Sequence, residues 1–225
     1  MSELLSDSAV TAAVDPRHWR VVLGRIQATF RTGTFARGVV LVERIGAEAE
    51  RLGHHPDVDL RYGSVHVATV SHDVGGLTAR DVALAEAVTS VADSLGLRAD
   101  LGAPQALEIA IDAIDIPAVV PFWRAVLGYG DERVAAPDAS PALVDPAGIG
   151  PAVWFQQMDV PRPQRNRIHL DVSVPHDQAP DRVAAALAAG GHLVSDRRAP
   201  AFWVLSDAEG NEACVCTWQG RENPS

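Results

Sequence analysis

Apolar positions alternate with polar ones along two early segments and then settle into a spacing of three to four. From His18 to Leu23, and from Arg25 to Arg31, Val21, Leu23, Ile26, Ala28 and Phe30 keep the two-residue period of half-buried strands, with a tight turn at Gly24. A short helix is expected before them, over residues 3–14. Thr34 then opens a long helix. Phe35, Val39, Val42, Ile45, Ala49 and Leu52 form its apolar stripe, Gly53 suits its C-terminal cap, and Pro56 bars continuation. Val58 to Tyr62 and Ser64 to Ser71 read as a hairpin turning near Gly63, with His66, Ala68, Val70 and His72 on one face. The run Leu77-Thr78-Ala79-Arg80-Asp81-Val82 is a helix start: Thr78 is the N-cap, Asp81 completes a capping box, and Leu77 can staple to Val82. Leu84, Val88, Val91 and Leu95 carry the stripe on to Gly96. The pattern predicts an α+β unit, a four-stranded antiparallel sheet with covering helices.

Gly96 to Ala106 lacks such periodicity and reads as a linker, which sets domains at 1–98 and 107–220. Beyond it, Glu108 to Ile114 is a strand pattern, Pro117 to Leu127 a helix stopped at Gly128, and Ala152 to Met158 a further strand after shorter ones. The order then recurs. Ile168 to Val174 is a strand, Ala179 to Ala189 a helix stopped at Gly190-Gly191, and more strands run to Thr217. A strand–helix–several-strands unit thus appears twice, a weak internal repeat.

Composition narrows the function classes. The chain of 225 residues carries a net charge of −10, which disfavours electrostatic binding to nucleic acid or an anionic membrane. Residues 1–102 hold 10 Arg against 13 Asp and Glu, whereas residues 103–225 hold 9 against 16, so the acidity is concentrated in the second half. There is no lysine, which excludes Schiff-base chemistry on a lysine of this chain. Cys214 and Cys216, two residues apart in a strand pattern, cannot comfortably close a disulfide. A reduced, cytoplasmic protein is expected, with no signal peptide in MSELLSDSAV and no stretch able to span a bilayer.

The chemistry gathers between Glu50 and Asp81, which hold four of the eight histidines. His54 and His55 end the long helix, Glu50 lies one turn before His54, and His72 ends a strand pattern. Histidine exchanges protons near neutral pH, so several of them at helix and strand ends suggest proton transfer. Glu50, His54-His55-Pro56, Tyr62, His72 and Asp81, flanked by Trp19 and by Gly75-Gly76-Leu77-Thr78, resemble the signature of the pterin-4a-carbinolamine dehydratases over about the first hundred residues. The resemblance implies dehydration of 4a-hydroxytetrahydropterins to quinonoid dihydropterins without metal or redox cofactor. It implies His54, His55 and His72 as acid–base groups and Glu50 as a group orienting one imidazole, with Asp81 and Pro56 at the substrate. It further implies a homodimer.

The second half resembles the glyoxalase-like, or vicinal-oxygen-chelate, superfamily. The residues that carry this are Phe122-Trp123 with Leu127-Gly128, Arg167-Ile168-His169-Leu170-Asp171, and Asp207-Ala208-Glu209-Gly210-Asn211-Glu212. The resemblance implies paired βαβββ units around a cleft and a divalent metal held from first and last strands. Carried over, the candidate ligands are Glu108, His169 and Glu212, with Gln156 as a further one; a histidine is more usual where Glu108 stands.

Plainer readings stand beside these. Histidine favours helix C-termini, the capping box by itself explains Asp81, and His66 suits a structural or pocket-lining place. A metal-free second fold would leave its acids in solvent. As to function, the alternative is a metal-dependent lyase, isomerase or dioxygenase acting through the second domain, with the first regulatory or vestigial. A non-enzymatic dimerisation module is a third possibility, against which the intact histidine set argues.

Overall fold

The computed structural model describes residues 3–132, 141–161, 169–217 and 219–220. The chain divides into two compact units, Met1–Ala106 and Leu107–Ser225. No helix among the described residues is long and apolar enough to cross a membrane.

The first unit begins with α1 (Asp7–Ala13), where the Ser6 hydroxyl accepts from the Ala9 N–H and Val10 is buried. Strands β1 (Arg20–Val22) and β2 (Arg25–Arg31) pair antiparallel, and Ile26, Ala28 and Phe30 are fully buried, as their two-residue period requires. Helix α2 (Phe35–Leu52), strands β3 (Asp57–Arg61) and β4 (Ser64–Thr69), and helix α3 (Ala79–Ser94) follow. The sheet runs β1-β2-β4-β3. It has a fifth strand that the hydrophobic pattern missed: β5 (Arg98–Ala99) pairs with β2 through Phe30↔Ala99 and Arg31↔Arg98. Asp100 holds the segment with its N–H to the Thr29 carbonyl and its carboxylate to Arg31. Two residues are too few to show a period, so backbone pairing reveals this strand where side chains could not.

The stripe on α2 is also corrected. Gly38, Leu41, Ile45 and Ala49 face the core, while Phe35 and Val39 are 49% and 45% exposed. The reason is Gly38. A Cβ there would stand 2.5 Å from Leu60 Cδ1, so the missing side chain lets helix and sheet approach closely. A hydropathy pattern gives no weight to that absence. On α3, Leu84 and Val88 are buried as expected, joined by Asp81, Ala85 and Ala92.

The second unit contains the repeat in plain form. Its first half is β6 (Glu108–Ala113), α4 (Ile116–Leu127), β7 (Gly130–Asp131), β8 (Ala142–Val144) and β9 (Ala152–Gln157). Its second is β10 (Leu170–Ser173), α5 (Ala179–Ala188), β11 (His192–Arg198), β12 (Phe202–Ser206) and β13 (Glu212–Cys216). The sheets run β6-β9-β8-β7 and β10-β13-β12-β11, so each first strand pairs parallel with the last strand of its own half. Two four-stranded sheets of one βαβββ topology agree with the expected α+β class. Phe122, Trp123, Leu143, Phe155, Leu205 and Val215 form the centre of one shared core.

Candidate active site

The helix end places the first histidine. Gly53 adopts a left-handed conformation (φ 61°), and the N–H groups of Gly53 and His54 return to the carbonyls of Glu50 and Ala49. The chain reverses there, turning His54 inward and leaving His55 exposed. The β3–β4 register, Asp57↔Ala68, then brings the segment before Asp57 alongside the end of β4. His72 follows Ser71 at that same end, in the turn closed by the Ser71↔Gly76 bridge. The capping box of α3 delivers Asp81 from below: the Thr78 N–H donates to Asp81 Oδ2 at 2.9 Å.

Asp81 is completely enclosed and His54 is 8% exposed. His54 Nε2 lies 2.7 Å from Asp81 Oδ1, and Thr69 Oγ1 lies 3.2 Å from the same nitrogen. The Thr69 hydroxyl donates to Asp81 Oδ1 at 2.8 Å, and the Ser71 hydroxyl to Oδ2 at 2.7 Å. Burial by itself raises the pKa of the Asp81 carboxyl. The hydrogen bonds from Ser71, His54, the Thr78 N–H and Thr69 outweigh it and hold the group below the ordinary carboxylate range. An anionic Asp81 can only accept, so His54 Nε2 carries the proton. His54 Nδ1 bonds to no described residue and is not among the enclosed unpaired polar atoms. It is the nitrogen left to meet a ligand.

His55 is paired differently. Its Nε2 lies 3.0 Å from Glu50 Oε1, both side chains being largely in solvent. Glu50 thus pairs with His55, not with the closer-spaced His54. His72 is exposed and Pro56 half-buried. Asp81, expected at the substrate, has no exposed surface and lies against His54. His66 shares a hydrogen bond with Thr29 Oγ1 at 2.9 Å, a structural place. The sequence pattern passed over Thr69 and Ser71. A signal was present: they continue the inward face of Val65 and Val67 with hydroxyl groups where apolar residues belong.

In the second unit the residues expected at a metal lie on separate strands. Glu108 is an exposed residue opposite Ala152, and Gln156 is an exposed residue opposite Asp112. Glu212 opens β13, half-buried. Among the described residues the donors that do converge are His169, Asp171 and Cys214, with ligand atoms all within 4.8 Å of one another. Only His169 belongs to the expected set. Burial, with the nearby Asp171 carboxylate, pushes the Cys214 thiol up to about 12. The Asp207–Asn211 motif is structural: Asp207 accepts from Trp123 Nε1 at 3.0 Å and from the Glu209 and Asn211 N–H groups. Arg167 and Ile168 lie outside the described residues.

Comparison with known proteins agrees with this division. The family model for pterin 4 alpha carbinolamine dehydratase matches residues 3–91, and that for a glyoxalase-like domain matches residues 108–216. A Nocardia farcinica protein bearing the name pterin-4-alpha-carbinolamine dehydratase is 39% identical over 92 residues, which are 40% of this chain and 97% of that one. A Herpetosiphon aurantiacus protein of the same name is 37% identical over 89 residues, 39% of this chain and 93% of that one. Among solved structures, a transcriptional coactivator/pterin dehydratase from Brucella melitensis matches 40% of this chain and 99% of its own, at 25% identity and a TM-score of 0.37. The fosfomycin resistance protein FosX from Listeria monocytogenes matches 52% and 93%, at 12% identity and a TM-score of 0.41. Through its first unit the chain belongs to the pterin-4-alpha-carbinolamine dehydratase family, and it joins to that unit a glyoxalase-like domain.

Proposed function

We propose that the first unit dehydrates 4a-hydroxytetrahydropterins to quinonoid dihydropterins by histidine acid–base catalysis. The observation that carries this reading is the buried Asp81–His54 pair, with Thr69 fixing its geometry. Hydroxide is a poor leaving group, so the C4a hydroxyl must be protonated as its bond to carbon breaks. The N5 electron pair then forms the new C=N bond, water departs, and N5 gives up its proton. Dehydration transfers no net electrons, so acid–base groups suffice.

His54 is the group we assign to the hydroxyl. The Asp81 carboxylate accepts from its Nε2 and leaves Nδ1 for the substrate. His55, steadied by Glu50, serves the pterin nitrogen side, and His72 approaches from the end of β4. Asp81 acts through His54 and not on the substrate. The partner is a small pterin, and a homodimer is the assembly we expect.

The test is turnover of a carbinolamine substrate by the full chain and its His54→Ala and His72→Ala variants. Losing a general acid or base costs about a hundred- to ten-thousandfold. Undiminished rates in both variants reject the assignment.

A further inference from the structure

We propose that the Asp73–Arg80 ion pair positions His72 for the dehydration, both residues acting through that imidazole and not on the substrate. The inference rests on the dehydratase reading and extends it to two residues outside the histidine set. The turn after β4 shows what His72 lacks. Ser71 is well fixed: its hydroxyl donates to Asp81 Oδ2 at 2.7 Å, and its N–H meets the Gly76 carbonyl at 3.1 Å. Beyond it the hold is weaker. The N–H groups of Val74, Gly75 and Gly76 all return to the Ser71 carbonyl, at 3.2, 3.0 and 3.4 Å. A carbonyl oxygen has two lone pairs, so three donors cannot all be well served. The His72 side chain itself bonds to no described residue.

Asp73 supplies the second anchor. Arg80 Nη2 donates to Asp73 Oδ1 at 2.5 Å. Arg80 is the second residue of α3, and its own N–H donates to Thr78 Oγ1 at 3.2 Å, so its backbone is set by the same cap that holds Asp81. His72 therefore lies between two residues tied to the first turn of one helix, Ser71 through Asp81 and Asp73 through Arg80. Asp81 also holds His54 Nε2. One helical turn thus fixes both imidazoles in a common frame, which is what two acid–base groups serving one small substrate require.

The pair contributes little to stability. Arg80 and Asp73 have side chains 36% and 62% exposed, and exposed ion pairs are weak. In reaching Asp73, Arg80 leaves its Nε enclosed without a partner, an arrangement that stability alone disfavours. The Arg80 hydrogen bond, with smaller help from the charges of Arg80 and His54, holds the Asp73 carboxyl below the ordinary carboxylate range. Asp73 is thus an anion at neutral pH, within electrostatic reach of His54.

The experiment measures turnover of a carbinolamine substrate by the full chain carrying Arg80→Gln, Arg80→Lys or Asp73→Asn, each alone and combined with His72→Ala. Arg80→Gln and Asp73→Asn should each lower kcat by about tenfold or more, toward the roughly hundredfold that a 1 Å misplacement costs, with KM unchanged. Arg80→Lys, which keeps the charge, should recover part of the loss. Combined with His72→Ala, either substitution should cost no more than about twofold beyond His72→Ala itself, because the group it places is gone. Amide hydrogen exchange should quicken at Val74, Gly75 and Gly76 and stay unchanged in β3 and β4. A rise in KM that persists beside His72→Ala makes Arg80 a substrate contact and overturns the proposal. Full additivity with His72→Ala, or faster exchange throughout the unit with a lowered thermal melt, overturns it too. A wild type without turnover sinks the dehydratase reading and this one together. An active wild type whose Arg80→Gln and Asp73→Asn variants keep its kcat sinks this one alone.

Discussion

His54 and Asp81 stand 27 positions apart in the chain and 2.7 Å apart in space, one at a helix C-terminus and the other in the first turn of a different helix. Neither position is unusual for its residue type. Their meeting turns a helix-ending imidazole and a helix-capping carboxylate into a pair in which one nitrogen is committed and the other is available.

Asp81→Asn should uncouple that pair. An amide carries no charge, so the variant loses the anion that fixes the proton on His54 Nε2. The expected result is a fall in kcat of about a hundredfold or more at an unchanged fold, by the size of general acid–base contributions. Steady-state turnover of the carbinolamine checks it. An unchanged kcat would remove Asp81 from the mechanism.

The same carboxylate makes stability depend on acid. Its folded-state pKa lies below the ordinary one, so its contribution is fully present above the unfolded value of about 3.9. That contribution is lost as pH falls from there through the lower folded value. Denaturant melts of the wild type should lose stability across this window. Asp81→Asn melts should be less steep there, since the variant has no carboxyl to protonate.

Thr69→Val removes a hydroxyl that touches both members of the pair while keeping shape in a fully buried place. One hydrogen bond to a charged acceptor is worth about 1.5–3 kcal/mol. The variant should be destabilised by about that amount, and the pH profile of kcat should shift. A change in stability with no change in profile would make Thr69 purely structural.

Glu50→Gln should matter little to stability, because exposed ion pairs contribute about 0–1 kcal/mol. If Glu50 orients His55 as its 3.0 Å contact suggests, the variant should lower kcat by less than His55→Ala does. Equal losses in the two variants would contradict an indirect role.

Gly38→Ala tests the close approach of α2 to the sheet. The new methyl would meet Leu60 Cδ1 at 2.5 Å, so overpacking of about 1–3 kcal/mol is expected. A neutral thermal melt would show that Leu60 yields freely.

Much of this protein was determined by the chain read on its own. Strand and helix periods, the caps at Gly53, Thr78 and Gly128, and the repeated order of the second half follow from local chemistry, since each needs only residues within a turn or two. The histidine set was visible for the same reason. Tertiary structure decided what those groups touch. It paired Glu50 with His55, set Asp81 against His54, and brought Thr69 and Ser71 into the network. Such partners are set by strand register and by the depth at which helices pack. Those depend on contacts between distant segments, on which a local pattern carries no information.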